Sequence, residues 1–267
     1  MKKILALTVT LILSISCFTG CGDKDKSSNN NKTSISRSSV STLEDAASGL
    51  YKAISVTVDE YLEYGWIKDG ASGIIISDEE LTLVDYEADK FINTIKGYYA
   101  DSDKYKWFCI VGKNEVSEVY VADDWDSDVI GTYPENIDAN GKKLSEIKSE
   151  LLLKRDLKNS ASDVYYAILN FLTVNDISDK VLSSSGVLSF DTTNKMEKEF
   201  IDLIKEYKLH SGANTIAEYL EDRKCLVTYE SGEIINVYVA EDWDSDIIGT
   251  YPEDLDTEGK KLSDFKN

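Results

Sequence analysis

Mostly apolar residues recur at three- and four-residue steps in two widely separated stretches of the chain. Leu50, Ala53, Ile54, Thr57, Val58, Tyr61 and Leu62 line one face of a helix. Residues 41–44, Ser-Thr-Leu-Glu, have the form of a capping box that would open it. Val164, Ala167, Ile168, Phe171 and Leu172 repeat the pattern. A shorter helix follows each: Phe91, Ile92, Ile95, Tyr98 and Tyr99, then Phe200, Ile201, Ile204 and Tyr207. The pattern next becomes strand-like. Residues 106–112 and 116–122 flank the turn Lys113-Asn114, and residues 224–229 and 234–240 flank residues 230–232; both read as β-hairpins. A third short strand, 130–133 or 248–251, stops at Pro134 or Pro252, because proline cannot donate to a ladder. Helices followed by an antiparallel meander predict an α+β fold with the long helix laid across the sheet.

The two stretches are copies. Residues 119–148 and 237–266 align without a gap, and 22 of 30 positions are identical. Fainter landmarks keep the same order upstream. Cys109-Ile-Val aligns with Cys225-Leu-Val, with two extra residues in the second copy before the shared Val-Tyr-Val-Ala. Tyr51-Lys-Ala-Ile aligns with Tyr165-Tyr-Ala-Ile. A period of this length is domain-sized rather than solenoid-sized. The expectation is two tandem domains of one fold, residues 42–150 and 151–267.

The long helix with its Tyr-x-Ala-Ile core, the shorter helix, the two hairpins and the closing Ile130-Gly-Thr-Tyr-Pro134 and Ile248-Gly-Thr-Tyr-Pro252 together resemble the globular part of type IV pilin-like proteins of clostridial bacteria. The resemblance spans roughly residues 42–135 and 160–253. It implies no enzymatic activity. Pilins carry a prepilin-peptidase site and a long apolar helix at their amino end, and this chain has neither there. The resemblance therefore implies a pilin-like module without the helix that polymerises.

The amino end reads differently. Lys2 and Lys3 precede an apolar run, residues 4–15, that is short for a membrane span and is followed by small residues, as in a secretory signal. Phe18-Thr19-Gly20-Cys21 resembles the lipobox of bacterial lipoproteins. That resemblance implies a diacylglycerol on the Cys21 thiol and cleavage just before it, so residues 1–20 are read as a lipoprotein signal peptide. Residues 21–41 are dominated by Ser, Asn, Lys and Asp and are read as a flexible tether. A tether of that length spans roughly 25 Å. The expected location is the extracytoplasmic face of the cell membrane, held by lipid.

Charge narrows the partners. The chain has 49 Asp and Glu against 29 Lys and Arg, a net charge of −20. Cleavage before Cys21 removes Lys2 and Lys3 and no acid, which leaves 27 cations against 49 anions and a charge of −22. Nucleic acid is excluded as a partner, since affinity for it comes from Lys and Arg. Anionic lipid headgroups would repel the body, so the diacyl anchor is what holds it at the membrane. A single histidine, His210, leaves no histidine-rich metal site and little room for a Ser-His-Asp triad. Cys109 and Cys225 lie in apolar strand contexts and read as small buried hydrophobes.

The repeated acidic loops are the candidate sites. Asp124, Asp126 and Asp128 surround Trp125, and Asp242, Asp244 and Asp246 surround Trp243. Alternate acids suggest a calcium loop, but Val129 and Ile247 stand where an EF-hand needs glycine. No cofactor is expected, with Ca²⁺ the one ion an irregular carboxylate site there could hold. Trp125 and Trp243, aided by Tyr133 and Tyr251, are candidate binding platforms, or they fold back onto their own sheets. The sequence is read as a non-catalytic binding or scaffold lipoprotein, its partner an envelope protein or wall polysaccharide. The alternative is a calcium-dependent module that grips a glycan or protein through the tryptophan loops.

Overall fold

The computed structural model describes residues 37–78, 88–135, 137, 141–175, 182, 184–209, 214–253 and 255–266. The signal segment, Cys21, the tether up to residue 36 and His210 lie outside the described residues.

The long first helix, α1 (Arg37–Glu63), starts upstream of the sequence expectation. Residues 41–44 lie inside it, so they do not form its amino-terminal cap, and the last five residues assigned to the tether are helical. A short strand follows, β1 (Gly73–Ile76), then α2 (Ala88–Tyr98), β2 (Lys106–Gly112), β3 (Glu115–Ala122) and β4 (Gly131–Tyr133). The second half continues with α3 (Leu144–Asn175), β5 (Gly186–Ser189), α4 (Lys195–Lys205), α5 (Ile216–Leu220), β6 (Lys224–Glu230), β7 (Glu233–Ala240) and β8 (Gly249–Tyr251). It ends in a 3₁₀ turn, Leu262–Lys266. The fold is mixed helix and sheet, with two four-stranded antiparallel sheets ordered β1-β2-β3-β4 and β5-β6-β7-β8. The edge strands β1 and β5 were not anticipated. Each has only four residues, and β5 carries just Val187 and Leu188 as apolar signal.

Register corrects one alignment. Cys109 pairs with Val119, whereas Cys225 pairs with Val239 and Val227 with Val237. Cys109 is therefore equivalent to Val227, and Cys225 to Trp107. The two hairpins have equal length, with no inserted residues, and each bulges at the same place, Ile110/Val111 and Thr228/Tyr229. Both thiols are free and fully buried, and desolvation pushes Cys109 up to about 12 and raises Cys225 for the same reason.

Each sheet packs one face on a long helix. In the first half Leu43, Ala47, Leu50, Ile54 and Val58 of α1 meet Ile75, Cys109, Val119 and Val121, with Phe91 and Ile95 of α2 closing the side. In the second, Leu157, Ala161, Val164, Ile168 and Leu172 of α3 meet Cys225, Val227, Val237 and Val239, with Phe200, Ile201 and Ile204 of α4. The opposite face of the first sheet, Ile74, Ile76, Phe108 and Tyr120, is covered by Leu144, Ile147, Leu151 and Leu152 of the same helix α3. One continuous helix thus runs through the position, 150/151, expected to separate two domains. Residues Ser36–Asn267 cluster as one compact unit. On the second sheet the corresponding outer face, Leu226, Tyr238, Ala240 and Ile248, is covered by Leu262 and Phe265 of the 3₁₀ turn.

The glycine of each Gly-Thr-Tyr strand has a steric cause. Helix α1 crosses β4 so closely that a Cβ on Gly131 would lie on the Leu43 carbonyl and 2.6 Å from the Glu44 amide nitrogen. A Cβ on Gly249 would strike the Leu157 carbonyl in the same way. Backbone cannot step aside as a flexible side chain can. Gly131→Ala and Gly249→Ala are each expected to destabilise by about 1–3 kcal/mol, the usual cost of overpacking. Gly97→Ala in α2, where a Cβ meets open space, is expected to be neutral or slightly stabilising. Urea unfolding of the three variants checks the order.

Candidate functional site

The loops after β3 and β7 make the same set of hydrogen bonds at equivalent positions. The Asp126 amide donates to Asp124 Oδ1 at 2.7 Å, and the Asp244 amide to Asp242 Oδ1 at 2.8 Å. These are Asx turns, which explains the repeated Asp-Trp-Asp. The Ser127 hydroxyl donates to the Val129 carbonyl, and Ser245 to Ile247, both at 3.1 Å. The loop carbonyls then receive the amides of the next helical segment. The Leu144 amide donates to the Ser127 carbonyl (3.0 Å) and the Ser145 amide to the Trp125 carbonyl (2.9 Å). Leu262 and Ser263 do the same to Ser245 and Trp243, at 3.1 and 3.0 Å. Lys143 Nζ reaches Asp126 at 3.2 Å and Lys261 Nζ reaches Asp244 at 3.3 Å. Asp128 and Asp246 are exposed.

Each tryptophan folds back onto its own sheet. The Trp125 indole N–H donates to Asp78 Oδ2 at 3.0 Å, just past β1, and Lys148 Nζ lies 4.4 Å from its ring centre. Lys106 Nζ completes the group at 3.0 Å from the same Asp78 oxygen. In the second copy the indole of Trp243 bonds Asp191, Lys266 Nζ lies 3.3 Å from the Trp243 ring centre, and Lys266 pairs with Asp191 at 3.6 Å. The indole edge is thus bonded and one face is occupied by a cation.

Tyr133 and Tyr251 are not beside the tryptophans. They point to the other side of each sheet: Tyr133 packs 4.9 Å from Tyr51 on α1, and Tyr251 packs 5.3 Å from Tyr165 on α3, its hydroxyl 2.5 Å from that of Tyr166. The sheet itself separates the two aromatic groups expected to cooperate. Among the described residues, no group of three or more His, Cys, Asp or Glu side chains converges as a metal site.

A second aromatic cluster escaped the sequence reading. At the end of α1, Gly65 takes φ +72°. Its amide donates to the Leu62 carbonyl (3.0 Å) and the Trp66 amide to the Tyr61 carbonyl (2.8 Å). This is a Schellman cap, and it brings Trp66 against Tyr61 as the motif's apolar contact. The rings meet edge-on at 5.0 Å and 77°, and Tyr61 meets Phe91 edge-on at 4.9 Å and 84°. Tyr64 lies 4.9 Å from Trp66 on the outside, and the Tyr98 hydroxyl of α2 donates to Glu60. Tyr64, Tyr98 and Trp66 are 65%, 52% and 36% exposed. The available signal was the run Glu60-Tyr-Leu-Glu-Tyr-Gly-Trp66, dense in aromatics and without a counterpart in the second copy.

No family model, curated protein or solved structure matches the chain.

Burial pushes the Asp78 carboxyl up, but the bonds from Trp125 and Lys106 and the charges of Lys106 and Lys148 outweigh it and hold the group below its usual value. Asp191 behaves likewise, burial being outweighed by Ser189, Lys266 and Trp243. A lowered carboxyl favours the folded state above the unfolded value, near 3.8. That contribution disappears as pH falls through the folded value. Asp78→Asn keeps an acceptor for the indole but loses the charge. The variant is expected to melt on the order of 2 °C below the natural chain at pH 7, because the exposed ion pair is weak. The gap should shrink as pH falls below about 4. Thermal unfolding from pH 3 to pH 7 follows both curves.

Proposed function

We propose that the chain is a surface lipoprotein, held outside the cell membrane by a diacylglycerol on Cys21, whose pilin-like body serves as a non-catalytic binding or scaffold module of the envelope. The observation that carries this reading is Phe18-Thr19-Gly20-Cys21 at the end of a short apolar segment, followed by a polar stretch. The order of a long helix followed by an antiparallel meander, used twice, supports a pilin-like module. The repeated loops support a scaffold rather than a reaction centre, because their identical positions serve as turn, cap and ring contacts. The high negative charge, spread over exposed side chains, suits a body that stands off an anionic lipid surface and meets a protein partner there.

The test is made in cells. Radiolabelled palmitate should enter the natural chain and not Cys21→Ser. The natural chain should sediment with membranes and the variant should not. Mass spectrometry should find residue 21 as the modified amino terminus. An unlabelled chain with an unmodified residue 21 would remove the anchor from this reading.

A further inference from the structure

The two halves agree in the loops that pack the body and differ in one group of aromatic side chains. The aromatic cluster at the end of α1 belongs to the first half alone. Offsetting by the Tyr51–Tyr165 match, Glu60, Tyr64 and Trp66 correspond to Val174, Ser178 and Lys180. Tyr98 corresponds to Tyr207, which packs inward 5.6 Å from Phe171. From this difference we infer that Tyr64, Trp66 and Tyr98, together with Glu60, form a docking surface for a lysine- or arginine-bearing segment of a partner protein.

Charge complementarity selects this occupant. The π faces of tyrosine and tryptophan attract cations. Glu60 accepts from the Tyr98 hydroxyl and lies one helical turn before Tyr64, and Asp59 and Glu63 are exposed within one turn of it. The net charge of −20 draws cations towards the body as a whole. The rings are also held in place. Phe91, Tyr61, Trp66 and Tyr64 form a ladder of contacts from the core to the surface, and the Schellman cap fixes the backbone beneath Trp66. Such a surface loses little freedom on binding.

The experiment titrates the full chain with a synthetic Lys-Gly-Lys-Gly-Lys-Gly peptide at physiological salt and follows the indole signals of its four tryptophans by NMR. The Trp66 signal should move, with Trp107, Trp125 and Trp243 unmoved as reporters of an intact fold. Tyr64→Ser combined with Tyr98→Ser leaves the charge unchanged and should weaken binding roughly fivefold to thirtyfold. Glu60→Gln should weaken it too, and Asp126→Asn, which removes a charge elsewhere, should not. If the tyrosine double variant binds as the natural chain does, or Asp126→Asn weakens binding as much as Glu60→Gln, overall acidity holds the peptide and the proposal fails. It fails also if a neutral chito-oligosaccharide moves the Trp66 signal and the peptide does not.

Discussion

Leu152 and Leu153 are neighbours in one helix, yet they pack against different sheets. Leu151 and Leu152 cover the outer face of the first sheet, and Leu153 and Leu157 belong to the core of the second. The change of allegiance takes place within a single peptide step, so no linker separates the halves. This constraint organises the body. The first sheet lacks a covered outer face unless the second half's helix is present, and the second half's helix is anchored at its start by the first half's tryptophan loop. Removing either partner would leave apolar surface in water, at roughly 25 cal/mol for each Å² exposed.

The shared segment Gly-Lys-Lys-Leu-Ser shows how one sequence serves two ends. In both copies its leucine is fully buried and its amide is capped by the preceding loop. After residues 141–145 the chain continues as a helix to Asn175; after residues 259–263 it makes a 3₁₀ turn through Lys266. The tryptophan, the Asx turn and the lysine that lies over the ring recur because both copies must dock this segment in the same way. The identity of the acidic loops is thus explained by packing, and the exposed aromatics that differ between the copies lie at the end of α1.

Much of this was legible. The two hairpins and the apolar stripes of the long helices, residues 50–62 and 164–172, lie where the pattern of residues puts them, because period-2 and period-3.6 signals are strong there; the starts of both helices do not. The continuity of α3 was hidden. Leu157 lies about 140° around the helix axis from Leu152, with the polar residues 154–156 between them, so no single apolar stripe runs through this stretch of sequence. The equivalence of the two cysteines was a false landmark, since residue identity outweighed the uniform offset of the hairpins. The tryptophans were readable as aromatics in an acidic loop, but their partners Asp78 and Asp191 lie far away in sequence, beyond strands too short to recognise. The separation of Trp125 from Tyr133, and of Trp243 from Tyr251, follows from side-chain alternation across a sheet that composition does not reveal.

Two sheets packed on one spine hold their surfaces in a fixed relation. The most direct measurement is native-state hydrogen exchange along residues 148–158. The account predicts that these amides are protected as strongly as the cores of both sheets and exchange only when the whole body unfolds in one transition. Rapid exchange in this segment, with each half unfolding separately, would contradict it.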